Sequence, residues 1–270
     1  MSSDYILKFD LSPYDDLDKF ALLADQKYNL GDTGDWFNCF RGGLYGLYAR
    51  VTGVQIHYHK VHSWELAVKD PSMTEYHLSS ILFNMDSAIE CMVFALNALG
   101  YIVDSSKFFD VTNEKDLSKI CPYNILGKPP EYSAGYVQGY DDYFPSLKSY
   151  WHENRTLIRV ISEQHDVSKH RSTIYSGGRM RNDPPPGFFE KLGIVGDKMK
   201  QIFLTPMEEI ILTYQPKTPW RQRKPHEHKD ANKLEDIAER FCTFINNCGV
   251  KALEDAKSRI KLKYYEFIKQ

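Results

Sequence analysis

The sequence predicts a mainly α protein, a helical bundle with a minor β-hairpin element. Three long segments repeat apolar residues at spacings of three and four, the period of an α-helix that buries one face. Clusters of Pro and Gly stand between these segments, where they interrupt regular structure. At 270 residues, 42% of them hydrophobic, the chain can bury a sizeable core. We therefore expect one helical domain over residues 1–270.

The strongest helical segment covers residues 73–99. Pro71 and Ser72 precede it and Gly100 follows it, in agreement with the preference for Pro at helix starts and Gly at helix ends. Its second half is apolar nearly all round, which is typical of a central buried helix. The apolar positions that repeat at helical spacing are Leu78, Ile81, Leu82, Met85, Ile89, Met92, Val93, Leu96 and Leu99.

Two further long helices are predicted at 143–170 and 231–267, the latter forming a C-terminal helical segment over 231–270. Shorter helices are expected at 15–28 and 36–51.

Residues 171–230 have the composition of a loop-rich insertion, with repeated Pro and Gly clusters. Within it, 201–205 and 209–214 are rich in β-forming residues and flank a proline, which predicts a small hairpin. Thr205-Pro-Met-Glu208 also fits a helical capping box with Pro at the first helical position. Hairpin and helix both remain open for 201–214.

Charge and cysteine content exclude several classes of protein. The 34 Lys and Arg are balanced by 36 Asp and Glu, a net charge of -2, so no global field favours nucleic acid or an acidic membrane. The five cysteines are odd in number and contain no CxxC pair, which favours a reduced compartment.

Residues 1–10 lack a secretory pattern, and the apolar run at 91–103 is shorter than the about 20 residues of a membrane span. We expect a cytoplasmic protein without membrane contact.

The standard nucleotide-binding, zinc-protease, serine-hydrolase and EF-hand motifs are absent from the sequence. His57, His59 and His62 form a local cluster that could ligate a transition metal. The sequence does not identify the third or fourth ligand such a site needs, and the alternative is that surface and hydrogen-bonded histidines cluster here. The stretch 220–225 places Trp220 among basic residues, a pattern that can contact RNA or lie solvated in a loop. We predict neither a cofactor nor a metal.

The two long helices also carry polar stripes. Asp86 and Glu90 are like charges one helical turn apart, an arrangement that is unfavourable unless a cation lies nearby. Arg155 and Arg159 could supply that cation if the two faces meet. The result would be a buried ion-pair network that sets helix register, a functional cleft, or two separate solvated faces.

The segment 85–100, ending Asn-Ala-Leu-Gly, resembles the central helix of HEPN-like helical bundle proteins of the Abi and toxin type. The segment 155–171 is placed like that family's signature, an Arg followed four to six residues later by His. Arg159 and His165 fit this spacing, although Val160 stands where the family has a polar residue. The resemblance identifies 73–170 as a HEPN-like core.

This resemblance implies metal-independent RNA cleavage by a cytosolic toxin or defence protein. His165 or His170 would be the general acid or base, Arg159 or Arg171 the stabilising cation, and Asp166 an orienting partner. The family also implies RNA as partner and a site completed across a homodimer.

Because other family members are inactive, the sequence leaves open whether the protein is an enzyme. The first alternative is a catalytically inactive helical binding or structural protein. The second is a metal-dependent enzyme that uses the histidine cluster at 57–62.

Overall fold

The computed structural model describes residues 6–28, 34–62, 71–127, 137–170, 175–180, 207–212 and 232–260. Most of these residues are helical, so the predicted mainly α fold is confirmed. The elements of the described ranges are α1 (Ser12–Tyr28), α2 (Gly34–Val61), α3 (Pro71–Val103), α4 (Glu114–Leu117), α5 (Tyr123–Leu126), α6 (Gly139–Tyr143), α7 (Pro145–Glu153), α8 (Arg155–His170), β1 (Tyr175–Met180), β2 (Met207–Leu212), β3 (Asn232–Lys233) and α9 (Leu234–Arg259).

The helix predicted at 143–170 is divided in the structure. Tyr143 ends α6, Pro145 begins α7 at its first turn, and Asn154 separates α7 from α8. Asn154 departs from helical geometry, with φ −97° and ψ 9°. Its amide Nδ2 donates to the carbonyl of Tyr150 at 2.9 Å, which also accepts the backbone N–H of Asn154 at 3.1 Å. Conversely, α2 continues ten residues past the predicted end at Val51 and includes the histidine cluster.

A small antiparallel sheet has the strand order β1-β2-β3. The β-forming stretch predicted at 209–214 corresponds to β2, and its described conformation is a strand. The partners of β2 are β1 and β3, whereas the predicted partner at 201–205 lies outside the described residues. Gly178 pairs with Ile210, so a Gly-rich stretch that the sequence indicates as a break is part of this sheet.

The chain divides into two compact units, each assembled from separate stretches of sequence. Unit 1 comprises Met1–Leu7, Thr52–Asn84 and Val160–Arg240. Unit 2 comprises Lys8–Val51, Met85–Arg159 and Phe241–Gln270. Helices α2, α3, α8 and α9 contribute residues to both units.

In unit 2, α1 and the residues before it form hydrogen bonds with α9. The hydroxyl of Tyr14, a side chain only 1% exposed, donates to the carbonyl of Ile245 at 2.7 Å. The backbone N–H of Asp10 donates to Asn246 Oδ1 at 2.8 Å, and Asn246 Nδ2 donates to the carbonyl of Lys8 at 3.1 Å. These bonds satisfy backbone groups that would otherwise need water.

The N-terminus of α7 is capped by a residue distant in sequence. Phe144 occupies the cap position and supplies no side-chain hydrogen bond. Instead, Asp255 of α9, only 3% exposed, accepts a hydrogen bond from the backbone N–H of Leu147 at 2.9 Å. A carboxylate at this position also interacts favourably with the helix dipole, so the capping of α7 depends on the packing of α9.

Helices α2 and α3 approach closely at Gly43 in unit 2. A Cβ atom at this position would lie 2.8 Å from both the backbone nitrogen of Ala95 and the carbonyl oxygen of Cys91. At the adjacent Gly42, a Cβ would meet nothing within 4 Å. The helix contact therefore requires glycine at one position and not at its neighbour.

The four charged residues considered for a polar layer do not form a buried one. Glu90 and Arg155 are exposed, and Asp86 and Arg159 are half-buried. Arg155 Nη1 donates to the carbonyl of His152 at 2.8 Å, within its own local turn. The second half of α3 is buried nearly all round, as predicted, with residues 95–100 all buried. Glu90 is the exposed residue between 88 and 100, and Asp86 lies half-buried one turn before it.

By length and composition alone, one described stretch, Met73–Val103, is apolar enough to cross a membrane. The mean hydropathy of its most apolar 18 residues is 1.4, and 56% of those residues are buried within the protein. A core helix meets the same criteria.

Candidate functional site

Three of the predicted site residues, Arg159, His165 and Asp166, have described side chains on α8. Arg159 and His165 are half-buried and Asp166 is exposed. Arg159 and His165 are six positions apart on the helix, which separates their directions by about 120° around its axis, whereas Arg159 and Asp166, seven positions apart, share a face. The side chain of His170 and all of Arg171 lie outside the described residues, as does the basic stretch at 220–225.

His165 lines a groove of about 450 Å³ in unit 1, which we call the α3–α8 groove. One wall is formed by the first half of α3 and the other by the end of α8. The lining residues are Glu75, Tyr76, Ser79, Ser80 and Phe83 from α3, and His165, Ser168 and Lys169 from α8.

Two aromatic rings give the α3 wall an accessible apolar surface. Phe83 is 39% exposed and Tyr76 is 56% exposed. The rings of Phe83 and His165 meet edge to face, with centroids 5.5 Å apart and an interplanar angle of 66°. This geometry is favourable for aromatic pairs and holds the imidazole of His165 at the groove surface.

The three serines of the groove share one hydrogen-bonding arrangement. Ser79 Oγ donates to the carbonyl of Glu75, Ser80 Oγ to that of Tyr76, and Ser168 Oγ to that of His165, each at 2.8 Å. Because a hydroxyl has one proton and two lone pairs, each serine oxygen retains only accepting capacity for a ligand.

The charged residues of the groove are Glu75 and Lys169. Glu75 is half-buried on α3, while Lys169 is exposed at the end of α8. Lys169 lies one helical turn after His165, so the ammonium group and the imidazole are on neighbouring positions of one helix face. A phosphate near His165 could therefore contact Lys169 as well.

The histidine cluster predicted as an alternative metal site is separated by the structure. His57 Nδ1 lies 2.7 Å from Nδ1 of His77 on α3, and His59 is exposed. His62 is buried, with Nδ1 2.8 Å from the carbonyl oxygen of Tyr58 and Nε2 2.8 Å from Glu235 Oε1. The cluster lies on a helix that turns about 100° per residue, so its members face different neighbours. Among the described residues, no three His, Cys, Asp or Glu side chains gather to hold a metal.

The His57–His77 contact is a hydrogen bond between two imidazoles, which requires one ring nitrogen to donate and the other to accept. Burial lowers the pKa of His57 below its usual value. Burial, His57 and Lys60 lower the pKa of His77. The Tyr76 ring also meets both imidazoles edge to face, with centroids 6.0 Å from His57 and 5.2 Å from His77.

We expect the free energy of unfolding to fall as the pH is lowered through about 6.5, the ordinary histidine pKa, towards the lower pKa values of the folded state. His57 and His77 bind more protons in the unfolded chain than in the folded protein over this window. Their contribution to the free energy of unfolding is therefore fully present above the window and lost below it. Both groups are partly solvated, and each contributes less than the about 1.4 kcal/mol per pH unit of a fully shifted group. Urea unfolding from pH 7.5 to 5.0 measures the slope.

The control for this pH dependence is His59, which is exposed on the same helix. His57→Gln should flatten the pH dependence and His59→Gln should leave it unchanged. Equal slopes in His57→Gln and the parent protein would contradict the assignment.

The α3 wall of the groove was not predicted as part of a site. Tyr76 and Phe83 are large aromatic residues that fall outside the apolar stripe of α3, and their spacing of seven places them on one face. That pattern is a signal in the sequence, but only the position of α8 shows that the two aromatics line a groove together with His165.

Comparison of the chain with family models, curated proteins and solved structures finds no match.

Proposed function

We propose that the protein is a metal-independent RNase that binds single-stranded RNA in the α3–α8 groove. The supporting observation is that His165, Lys169 and two exposed aromatic rings line the same groove. Imidazole is the side chain best suited to proton transfer near neutral pH. Aromatic rings and a cation together are the usual means of holding single-stranded nucleic acid.

In the proposed reaction, the 2′-hydroxyl of one nucleotide attacks the adjacent phosphorus atom. His165 accepts the 2′-hydroxyl proton, the bond from phosphorus to the 5′-oxygen breaks, and the leaving oxygen takes a proton from water. The products are a 2′,3′-cyclic phosphate and a 5′-hydroxyl end. Lys169 offsets the negative charge that develops on the phosphate oxygens.

The resemblance to HEPN-like proteins supports the same chemistry and extends the proposal. In that extension Arg159, Asp166, His170 and Arg171 contribute to a site completed in a cytosolic homodimer. Light scattering after size exclusion should then give about twice the chain mass of 31.4 kDa.

Incubation of the purified protein with end-labelled single-stranded RNA and with tRNA should give cleavage both with and without EDTA. The chelator has no effect because imidazole and ammonium groups, rather than a metal ion, perform the reaction. Mass spectrometry of the fragments should show 2′,3′-cyclic phosphate ends. Cleavage that requires added metal would contradict this mechanism.

The inactive binding protein is a second candidate, favoured by the aromatic wall of the groove, which can bind RNA without using His165. Tight RNA binding by the folded protein without any cleavage would select this candidate.

A further inference from the structure

We propose that the α3–α8 groove selects unpaired adenine and cytosine, whose exocyclic amines stand at C6 and C4, over uracil, which has a carbonyl oxygen at C4. This inference rests on the proposed binding of RNA in the groove. It adds a base-reading subsite on α3, between Tyr76 and Phe83, that is separate from the reacting groups on α8.

The two rings of the α3 wall provide the stacking surfaces. Tyr76 and Phe83 are seven residues apart, which places them on one face of the helix and about 10 Å apart along its axis. A single base sandwiched between two rings needs them closer together, so each ring offers a separate surface. Both are accessible, and stacking requires bases that are not paired in a duplex. Stacking alone distinguishes one base from another only modestly.

The hydroxyls of Ser79 and Ser80 supply the discrimination. Both lie between the two rings in sequence and line the groove. Their protons are used by the carbonyls of Glu75 and Tyr76, so their oxygens accept hydrogen bonds. The amines of adenine and cytosine donate to these oxygens, whereas uracil has a carbonyl oxygen at the corresponding position and cannot donate from it.

The same serine oxygens determine which part of the RNA faces α3 and which part faces α8. A phosphate diester cannot donate a hydrogen bond to the serine oxygens of α3. Lys169 at the end of α8 attracts it instead. Bases therefore face α3, while the sugar-phosphate chain runs along α8 beside His165, the position that cleavage requires.

The test uses 2′-O-methyl A12, C12 and U12 oligonucleotides, which cannot be cleaved because the attacking hydroxyl is blocked. Fluorescence anisotropy should give a dissociation constant about three- to tenfold lower for A12 and C12 than for U12, the effect of one hydrogen bond. The Ser79→Ala/Ser80→Ala variant should lose this preference and keep its affinity for U12. Phe83→Ala should weaken binding of all three about tenfold.

Matched controls are available on neighbouring surfaces. Ser87→Ala changes a serine of α3 outside the groove lining, and Tyr45→Ala removes an exposed aromatic ring from α2. Neither should alter affinity or base preference. Circular dichroism checks that the variants remain helical, which is expected because alanine is a better helix former than serine.

Equal affinity for the three oligonucleotides, or a preference for U12, would overturn base selection and leave the proposed RNase function in place. A preference that persists in Ser79→Ala/Ser80→Ala would overturn the role of the serines. Failure to bind any of the three oligonucleotides would overturn both proposals. Binding of a basic peptide such as (Arg-Lys)5, with no binding of the oligonucleotides, would overturn them as well.

Discussion

His165→Ala should reduce the rate of RNA cleavage by about 10²–10⁴-fold, the usual contribution of general acid–base catalysis. The imidazole is half-buried at the groove surface, and its described ring contact is with Phe83. The variant should retain its helical content, since alanine is a strong helix former. Single-turnover cleavage of a labelled oligonucleotide, with RNA binding measured in parallel, separates the chemical step from affinity.

Two variants distinguish the groove from other histidine sites and from the HEPN-like signature. His59→Ala removes an exposed histidine of α2 and should leave cleavage unchanged. Arg159→Ala tests the signature, because Arg159 and His165 lie about 120° apart on α8. Loss of cleavage in Arg159→Ala with full activity in His165→Ala would assign the reaction to the signature arginine and reject the groove mechanism.

Gly43→Ala should destabilise the protein by about 1–3 kcal/mol, the usual cost of overpacking. The new methyl group would lie 2.8 Å from two backbone atoms of α3, the nitrogen of Ala95 and the oxygen of Cys91. Backbone atoms cannot rotate away as a flexible side chain can, so the two helices must separate locally and lose packing contacts. Urea unfolding at constant pH measures the change.

The adjacent residue provides an internal control of opposite sign. Gly42→Ala adds the same methyl group in open space and should stabilise the protein by about 0.5–1 kcal/mol, since alanine favours the helical backbone. Destabilisation of similar size in both variants would show that the backbone, rather than the contact with Ala95 and Cys91, determines the outcome.

The helices were predictable where a regular apolar period coincides with terminal signals. The segment predicted at 73–99 corresponds to α3, two residues longer at its start and four at its end. The division at Asn154 was not predictable from the period, because the change in backbone angles is confined to one residue and leaves the apolar repeat on both sides unchanged. The pairing of β1 with β2 was missed because it joins segments distant in sequence, and two glycines in β1 suggested a turn.

The candidate site was predictable only in part, for a related reason. The prediction named His165 from one helix, but the groove exists because α3 supplies the facing wall. The interpretation of His57, His59 and His62 as one cluster relied on closeness in sequence, whereas a helix directs such residues to different partners. His77 and Glu235, which complete those contacts, cannot be linked to the cluster by any local pattern.

The attachment of the α1 region to α9 has a consequence for biosynthesis. Asp10 and Asn246 are separated by 236 positions, and Tyr14 and Ile245 by 231. A ribosome makes the α1 region first, yet these bonds cannot form until nearly 250 residues have emerged. Closure over such a distance is entropically costly and slows folding. Helices α2 and α3 can cover part of α1 earlier, through contacts such as Arg41 with Asp18 and Tyr14 with Met92. The part of the α1 region that contacts α9 stays uncovered for most of synthesis, and we expect chaperones to bind it until α9 is complete.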